Sequence, residues 1–272
     1  GAYGEALVMR ILDPKSIQIE FEQLGIEDFL FKIIAEAIIK PNGLILVTGP
    51  TGAGKTTTLY AFLRKMYTPD INVITIEDPV EYHVKGITQT QTNQEKGYTF
   101  AEGLRSILRQ DPDVIMVGEI RDRDTAEIAV QSSLTGHMVL STLHTNNAAG
   151  VIPRLIDLGV NPKILVSALS LAIAQRLVRI LCKFCKKERE PSEEESTTIK
   201  TILEEMKLEG KDLSKHNVSS DGPIKLFSLV VCEKCNNTGY KGRMGIFEAI
   251  INDAEIEKIM PENPSEREIK EI

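Results

Sequence analysis

Nowhere in the sequence does an apolar run approach the roughly 20 residues that a membrane-spanning helix needs. The opening stretch, Gly1 to Leu12, lacks both the basic start and the long apolar segment of a secretory signal. These two absences point to a cytoplasmic protein. Positive charge is also in short supply. Lys and Arg number 32 against 39 Asp and Glu, a net charge of −7, whereas binding to a phosphate backbone draws its affinity from clustered cations. No nucleic-acid partner is expected. Cysteine is scarce: the four present fall into two tight pairs, which in a chain without secretory features favours metal ligation over disulfides. Internal repeats and low-complexity tracts are absent as well. The chain starts with Gly1 rather than Met and at once alternates Ala6, Val8 and Arg10 with Leu7, Met9 and Ile11, a strand pattern. The expectation is a fragment with something missing upstream.

What is present suffices for one large core and a smaller satellite, since 42% of the 272 residues are hydrophobic. Apolar residues at helical spacing (Phe29, Leu30, Ile33, Ile34, Ala37, Ile38) predict a helix over 27–39, broken by Pro41-Asn42-Gly43. A buried strand, Leu44 to Thr48, follows. Three further short apolar runs, Val73–Ile76, Val114–Val117 and Met138–Thr142, are separated by helical stretches, the alternation of a mostly parallel sheet covered on both faces. Thr99 and Glu102 form a capping-box pattern ahead of Leu104, Ile107 and Leu108, and Asp111-Pro112 ends that helix. Asn161-Pro162 is expected to open a long helix carrying Ile164, Leu165, Ala168, Leu171, Ala172 and Leu177. From Lys186 to Pro223 the chain turns rich in Glu, Lys and Ser, with one amphipathic stretch (Ile199, Ile202, Leu203, Met206), and reads as a mobile insertion. A strand from Gly245 to Ile251 and an acidic tail complete it. The expected division is a remnant of a small α/β domain with linker over 1–24, the core over 25–181, a four-cysteine module over 182–241 and a C-terminal segment over 242–272.

The sharpest motif is Gly49-Pro50-Thr51-Gly52-Ala53-Gly54-Lys55-Thr56, a G-x-x-x-x-G-K-[ST] pattern between an apolar strand and a helix beginning near Thr57. Strand, loop and helix in that order are the context in which the pattern binds a nucleotide. Gly49, Gly52 and Gly54 let backbone N–H groups wrap a phosphate where a Cβ would obstruct. The helix N-terminus adds its positive end. Lys55 then reaches the β and γ phosphates, and the Thr56 hydroxyl is a ligand for Mg²⁺. ATP with Mg²⁺ is the expected ligand.

Acids follow at strand ends. Asp113 to Gly118 is an apolar strand with Glu119 at its far end, where ligands of open α/β sheets gather. Glu77-Asp78-Pro79-Val80-Glu81 leaves more carboxylates at the same edge, because Pro79 forces a turn. Glu119 is placed to help hold Mg²⁺ or orient water, and Glu81, beyond the turn where a side chain can bend back over the nucleotide, is the candidate general base, though the residues alone do not decide which of the two takes the proton. By themselves His137 and His144 read as structural, at a helix end and a strand end. Arg105 and Arg109 are spaced to share one exposed helix face.

Cys182-Lys183-Phe184-Cys185 and Cys232-Glu233-Lys234-Cys235 are paired C-x-x-C turns. Four thiolates suit tetrahedral Zn²⁺ with no open position, so the expected ion is structural. Asn237-Thr238-Gly239-Tyr240 reads as the knuckle turn that follows. No thioredoxin-like unit accompanies either pair, which sets a redox role aside.

In this order, the phosphate loop, the acidic box Ile74 to Glu81, the Asp113–Glu119 strand and the run from Gly136-His137 through Thr142-Leu143-His144-Thr145-Asn146 resemble the ATPases of type II secretion and type IV pilus assembly. The resemblance covers about three quarters of the chain. It implies a RecA-like P-loop core and ATP hydrolysis coupled to mechanical work. Lys55 and Thr56 would serve phosphate and Mg²⁺, Glu81 would belong to the acidic box, Glu119 would be the second catalytic acid, and His144 would sense the γ-phosphate. Arg105, Arg109 and Arg121 match positions that reach a neighbour's nucleotide, and Arg10 matches one of a pair on the preceding small domain. The resemblance further implies a homo-hexameric ring that sits peripherally at the inner membrane and works on a platform protein there. A zinc module of this kind accompanies assembly and export rather than pilus retraction. A retraction or conjugative motor and a nucleotide-regulated scaffold with little turnover are the alternatives.

Overall fold

The structure, a computed structural model, describes residues 4–5, 19–208 and 224–272. Arg10, the alternation from Ala6 to Ile11, and residues 209–223 of the expected insertion lie outside them. The described residues fall into two compact units, one within Gly1–Leu177 and Gly245–Ile272, the other within Val178–Met244.

Four apolar runs become the middle of the larger unit's sheet. They are β1 (Gly43–Thr48), β2 (Val73–Glu77), β4 (Val114–Val117) and β5 (Met138–Leu143), with β3 (Thr88–Gln91) beyond β2. Every residue of β1, β2, β4 and β5 is buried, as strands covered on both faces require. With β6 (Leu169–Leu181) and β9 (Tyr240–Ile251) the sheet has seven strands in the order β3-β2-β4-β5-β1-β6-β9. The pairs β3/β2, β2/β4, β4/β5, β5/β1 and β1/β6 are all parallel.

Side-chain alternation along the strands feeds two cores. Ile45 and Val47 face one, with Phe21, residues of α1 (Asp28–Ile38) such as Ile34 and Ile38, and Leu59, Phe62 and Leu63 of α2 (Lys55–Met66). Leu44 and Leu46 face the other, with Leu104 and Ile107 of α3 (Phe100–Ile107), Ala126 and Val130 of α4 (Arg123–Leu134), Val151 and Leu155 of α5 (Val151–Asp157), and Leu165 of α6 (Pro162–Ala168). Each fully buried Leu, Ile or Phe contributes about 1.5–3 kcal/mol, so the sheet is fixed by what it carries on both sides.

The long helix expected from Asn161 does not form. α6 stops at Ala168, Leu169 is extended (φ −71°, ψ 121°), and the chain continues as β6 beside β1. Leu169, Leu171, Ala172, Ile173 and Ala174 are buried, and a strand buried on both faces is a continuous apolar run that periodicity does not separate from a helix. β3 gave no apolar signal, because it is a Thr-Gln strand at the sheet edge. Only half of the capping box is made: Thr99 Oγ1 accepts from the Glu102 N–H at 3.3 Å, while the Glu102 carboxylate takes Arg105 at 2.6 Å.

The tail is built rather than trailing. α8 (Ala254–Ile259) and α9 (Glu266–Lys270) start at Asp253 and Ser265, whose side chains cap them, and Ile256, Met260 and Ile269 enter the second core. In the smaller unit, β7 (Lys187–Arg189) and β8 (Leu226–Ser228) pair antiparallel, and α7 (Glu193–Leu208) buries only Leu203. No helix among the described residues is long and apolar enough to cross a membrane.

Candidate nucleotide site and metal centre

Register places the motifs at one edge. Thr48 pairs with Leu143, Val117 with Ser141, and Ile76 with Val117, so the loop after β1, the acids after β2 and β4, and His144 after β5 all leave the carboxyl ends of parallel strands. Side-chain and backbone bonds knit these ends together. Thr48 Oγ1 lies 2.8 Å from Thr145 Oγ1 and accepts from the Thr145 N–H at 2.8 Å, Ser141 Oγ donates to Val117 O at 2.7 Å, and the Ile120 N–H donates to Thr142 O at 3.0 Å.

The loop itself turns on its glycines: φ is 136° at Gly49, 77° at Gly52 and 90° at Gly54, the residue that precedes α2. Gln175, a buried glutamine of β6, supports it from below and accepts the Thr58 hydroxyl at 2.7 Å. Lys55 and Thr56 begin α2, with Thr57 next. Lys55 Nζ donates to Gly49 O at 2.8 Å and Pro50 O at 3.3 Å. Burial pulls this ammonium below its ordinary pKa, and the nearby charge of Glu119 partly restores it.

Glu119 sits two residues past β4, with its side chain 13% exposed. One oxygen pairs with Arg121 and the other lies 3.2 Å from His144 Nε2. The Glu119 bond raises the Arg121 guanidinium further. Arg121 and His144 thus meet at the Glu119 carboxylate, and Lys55 lies within its electrostatic reach. His137 stands apart. It precedes β5, at the opposite end of the strands, where its Nδ1 lies 3.0 Å from Ser132 O. Arg105 and Arg109 are exposed and engaged on their own helical segment, Arg105 with Glu102 and Arg109 with Ser106 at 3.3 Å. Glu81 follows the acidic turn and is partly buried.

Glu77, grouped in the sequence with the acids of the turn, is instead the buried last residue of β2. Its carboxylate is 3% exposed and accepts from the Tyr60 hydroxyl, from Thr75 Oγ1 at 2.5 Å and from Gln89 Nε2 at 3.0 Å. Burial and the Glu77 carboxylate push the Tyr60 hydroxyl well above its ordinary pKa, so it remains a donor. Thr48 and Gln175 were missed, although a polar residue inside an apolar strand is a signal of its own.

In the smaller unit Cys182, Cys185, Cys232 and Cys235 bring their sulfurs within 4.8 Å of one another. Cys235 Sγ lies 3.8 Å from Cys232 Sγ and 3.9 Å from Cys185 Sγ. Thiolates about 2.3 Å from one tetrahedral ion stand about 3.8 Å apart, so the donor set has the dimensions of a single metal site. Burial pushes the Cys235 thiol up, but N–H groups of Cys232 and Gly239, with the neighbouring thiols, outweigh it and bring it down to about 6.

A family model described as type II/IV secretion system protein matches residues 1–272. The chain is 46% identical over 271 residues to type II secretion system protein E of Aeromonas hydrophila, an alignment covering 100% of this chain and 51% of that protein. It is 48% identical over 269 residues to the type IV pilus assembly ATPase PilB of Pseudomonas aeruginosa, covering 99% and 45%. The chain therefore spans about half the length of these relatives. Among solved structures, the pilus retraction motor PilT with bound ADP matches with a TM-score of 0.61 at 31% identity, covering 90% of this chain and 56% of that one. The ATPase DotB of Legionella pneumophila, at 24% identity, TM-score 0.58 and coverage of 93% and 55%, shares the RecA-like P-loop fold. A match along the whole sequence, joined by relatives at 46% and 48% identity, makes this chain a member of the type II/IV secretion system protein family.

Proposed function

We propose that the chain is the motor part of an ATPase that hydrolyses ATP to ADP and phosphate and powers type II secretion or type IV pilus assembly. The observation that carries the reading is the group formed by Lys55, Glu119 and His144 at the mouth of a glycine-turned loop on a helix N-terminus. Phosphoryl transfer is catalysed chiefly by placement and by fixed charge. In this reading the loop amides hold the polyphosphate, Lys55 offsets charge that develops on the γ-phosphate, and Glu81 or Glu119 accepts the proton of the attacking water. His144, 3.2 Å from the Glu119 carboxylate, would sense the γ-phosphate, and that contact supports the role. Thr56, at the start of α2, would hold Mg²⁺, which supplies charge neutralisation to the phosphates when bound.

Arg105, Arg109 and Arg121, with Arg10, are read as cations for the nucleotide of this or an adjoining subunit, which calls for a homo-oligomeric ring, by family a hexamer. Its place would be the cytoplasmic side of the inner membrane, turning a platform protein. In calorimetry with Mg²⁺ present, ATP uptake is expected for the wild type and lost in Lys55→Ala, with turnover down by at least roughly 10²-fold. Folded protein that gives no heat of nucleotide uptake would sink the reading.

The four thiols are proposed to hold structural Zn²⁺, a borderline-soft ion suited to a closed sulfur site. Metal analysis should find one zinc per chain and none in Cys235→Ser. Chelation should make 178–244 the first segment cut by protease, because metal binding energy in such modules is folding energy. A zinc-free protein with the same protease resistance would refute this.

A further inference from the structure

A polar lattice lies beside the acidic turn. β3 pairs with β2 so that Thr75 stands opposite Gln89 and Glu77 opposite Gln91. Both glutamines turn to the loop that follows β2. Gln89 Oε1 accepts from the Val84 N–H at 2.6 Å, while its Nε2 donates to Tyr82 O at 2.9 Å and to Glu77 Oε1 at 3.0 Å. Gln91 Oε1 accepts from the Val80 N–H at 3.2 Å. The backbone is therefore tied on both sides of Glu81, at Val80 and at Tyr82 and Val84, by side chains of the neighbouring strand.

A carboxamide is the group this task needs. Its NH₂ serves two acceptors, Tyr82 O and Glu77, while its oxygen takes the Val84 N–H; an ionised carboxylate donates nothing, and a hydroxyl has only one hydrogen to give. The buried Glu77 decides which way the amide faces. Its Oε1 accepts from Nε2, which leaves Oε1 of Gln89 facing the Val84 N–H. Tyr60 and Thr75 donate to the same carboxylate and hold it in place. A chain of contacts thus runs from a helix on the phosphate loop, through Tyr60, Glu77 and Gln89, to the peptide groups around Glu81.

We propose that Gln89 is a positioning residue that presents Glu81 to the attacking water, with Glu77 and Tyr60 fixing the orientation of its amide. The inference rests on the ATPase reading above and gives Glu81 a defined role within it. A displacement of about 1 Å at a reacting group costs on the order of 10²-fold in rate, so the clamp acts on turnover more than on nucleotide uptake.

The test is a double-mutant cycle in the full natural chain, assembled, comparing wild type, Gln89→Ala, Glu81→Ala and the double variant. Steady-state ATP turnover and Mg·ADP affinity by calorimetry are the readouts. Gln89→Ala is expected to lower kcat by about 10- to 100-fold with ADP affinity within about threefold. In the Glu81→Ala background the same change should cost nothing further, because residues acting through one another are not additive. An unchanged kcat, or losses that multiply in the double variant, would overturn the proposal. Should Gln89→Ala lose ADP affinity by failing to fold, Tyr60→Phe removes only the hydroxyl facing Glu77. It is expected to give a smaller loss in kcat, again absent in the Glu81→Ala background, and a loss that persists there overturns the proposal equally. Wild-type protein that binds ADP without turnover would instead bring down the ATPase reading itself, and this inference with it.

Discussion

Glu119→Gln is expected to lower ATP turnover by roughly 10²- to 10³-fold while leaving nucleotide uptake intact. The substitution keeps the shape of a side chain that is 13% exposed and removes only its charge. Three cations or potential cations face that charge: Lys55, Arg121 and His144. Without it Lys55 loses the influence that opposes its desolvation, and its pKa falls further. His144 loses an anionic partner at 3.2 Å. Binding survives because the loop amides and the helix end are untouched, and removing an anion beside a polyphosphate site reduces repulsion. Stability should change by less than about 1 kcal/mol, as the Arg121 partner is largely in solvent. Turnover followed by phosphate release and affinity followed by calorimetry separate the two effects. A variant as fast as wild type would remove Glu119 from the chemistry.

Gly49→Ala is expected to destabilise the larger unit by about 2–6 kcal/mol, and Gly52→Ala by about 1–2 kcal/mol. Both positions have positive φ, so both substitutions carry backbone strain. They differ in what a methyl group would meet. At Gly49 it would lie 2.3 Å from the main-chain oxygen of Gln175 and 3.3 Å from the Ala53 Cβ, whereas at Gly52 nothing lies within 4 Å. The obstacle at Gly49 is backbone of β6, held between β1 and β9, which does not swing aside as a side chain would. Thermal melts of the two variants would show the ranking, at roughly 2–4 °C per kcal/mol for a unit of this size. A Gly49→Ala melt equal to that of Gly52→Ala would mean that β6 yields.

Much of this molecule was legible because its signals are local. The loop from Gly49 to Thr56 carries its spacing, its glycines and its flanking strand and helix in one stretch, and β1, β2, β4 and β5 appear where apolar runs were noted. The paired cysteines converge as their spacing suggested. What escaped depends on partners distant in sequence. β6 looks helical until β1 stands beside it, and β3 is recognised as a strand only by the register that β2 imposes. Glu77 is set apart from Asp78 and Glu81 largely by Tyr60 and Gln89, 17 and 12 residues away. His137 and His144 are equally plain as letters, and the direction of β5 sends them to opposite ends.

The chain passes from the larger unit to the smaller one within β6, after Leu177, and returns within β9, at Gly245, and these two strands are neighbours in the sheet. Entry and exit therefore lie on adjacent strands of one sheet. Closing a longer excursion costs only about 0.6 kcal/mol for each doubling of its length. Length added between the ends of these two strands is therefore a small entropic burden on the unit that carries the nucleotide loop.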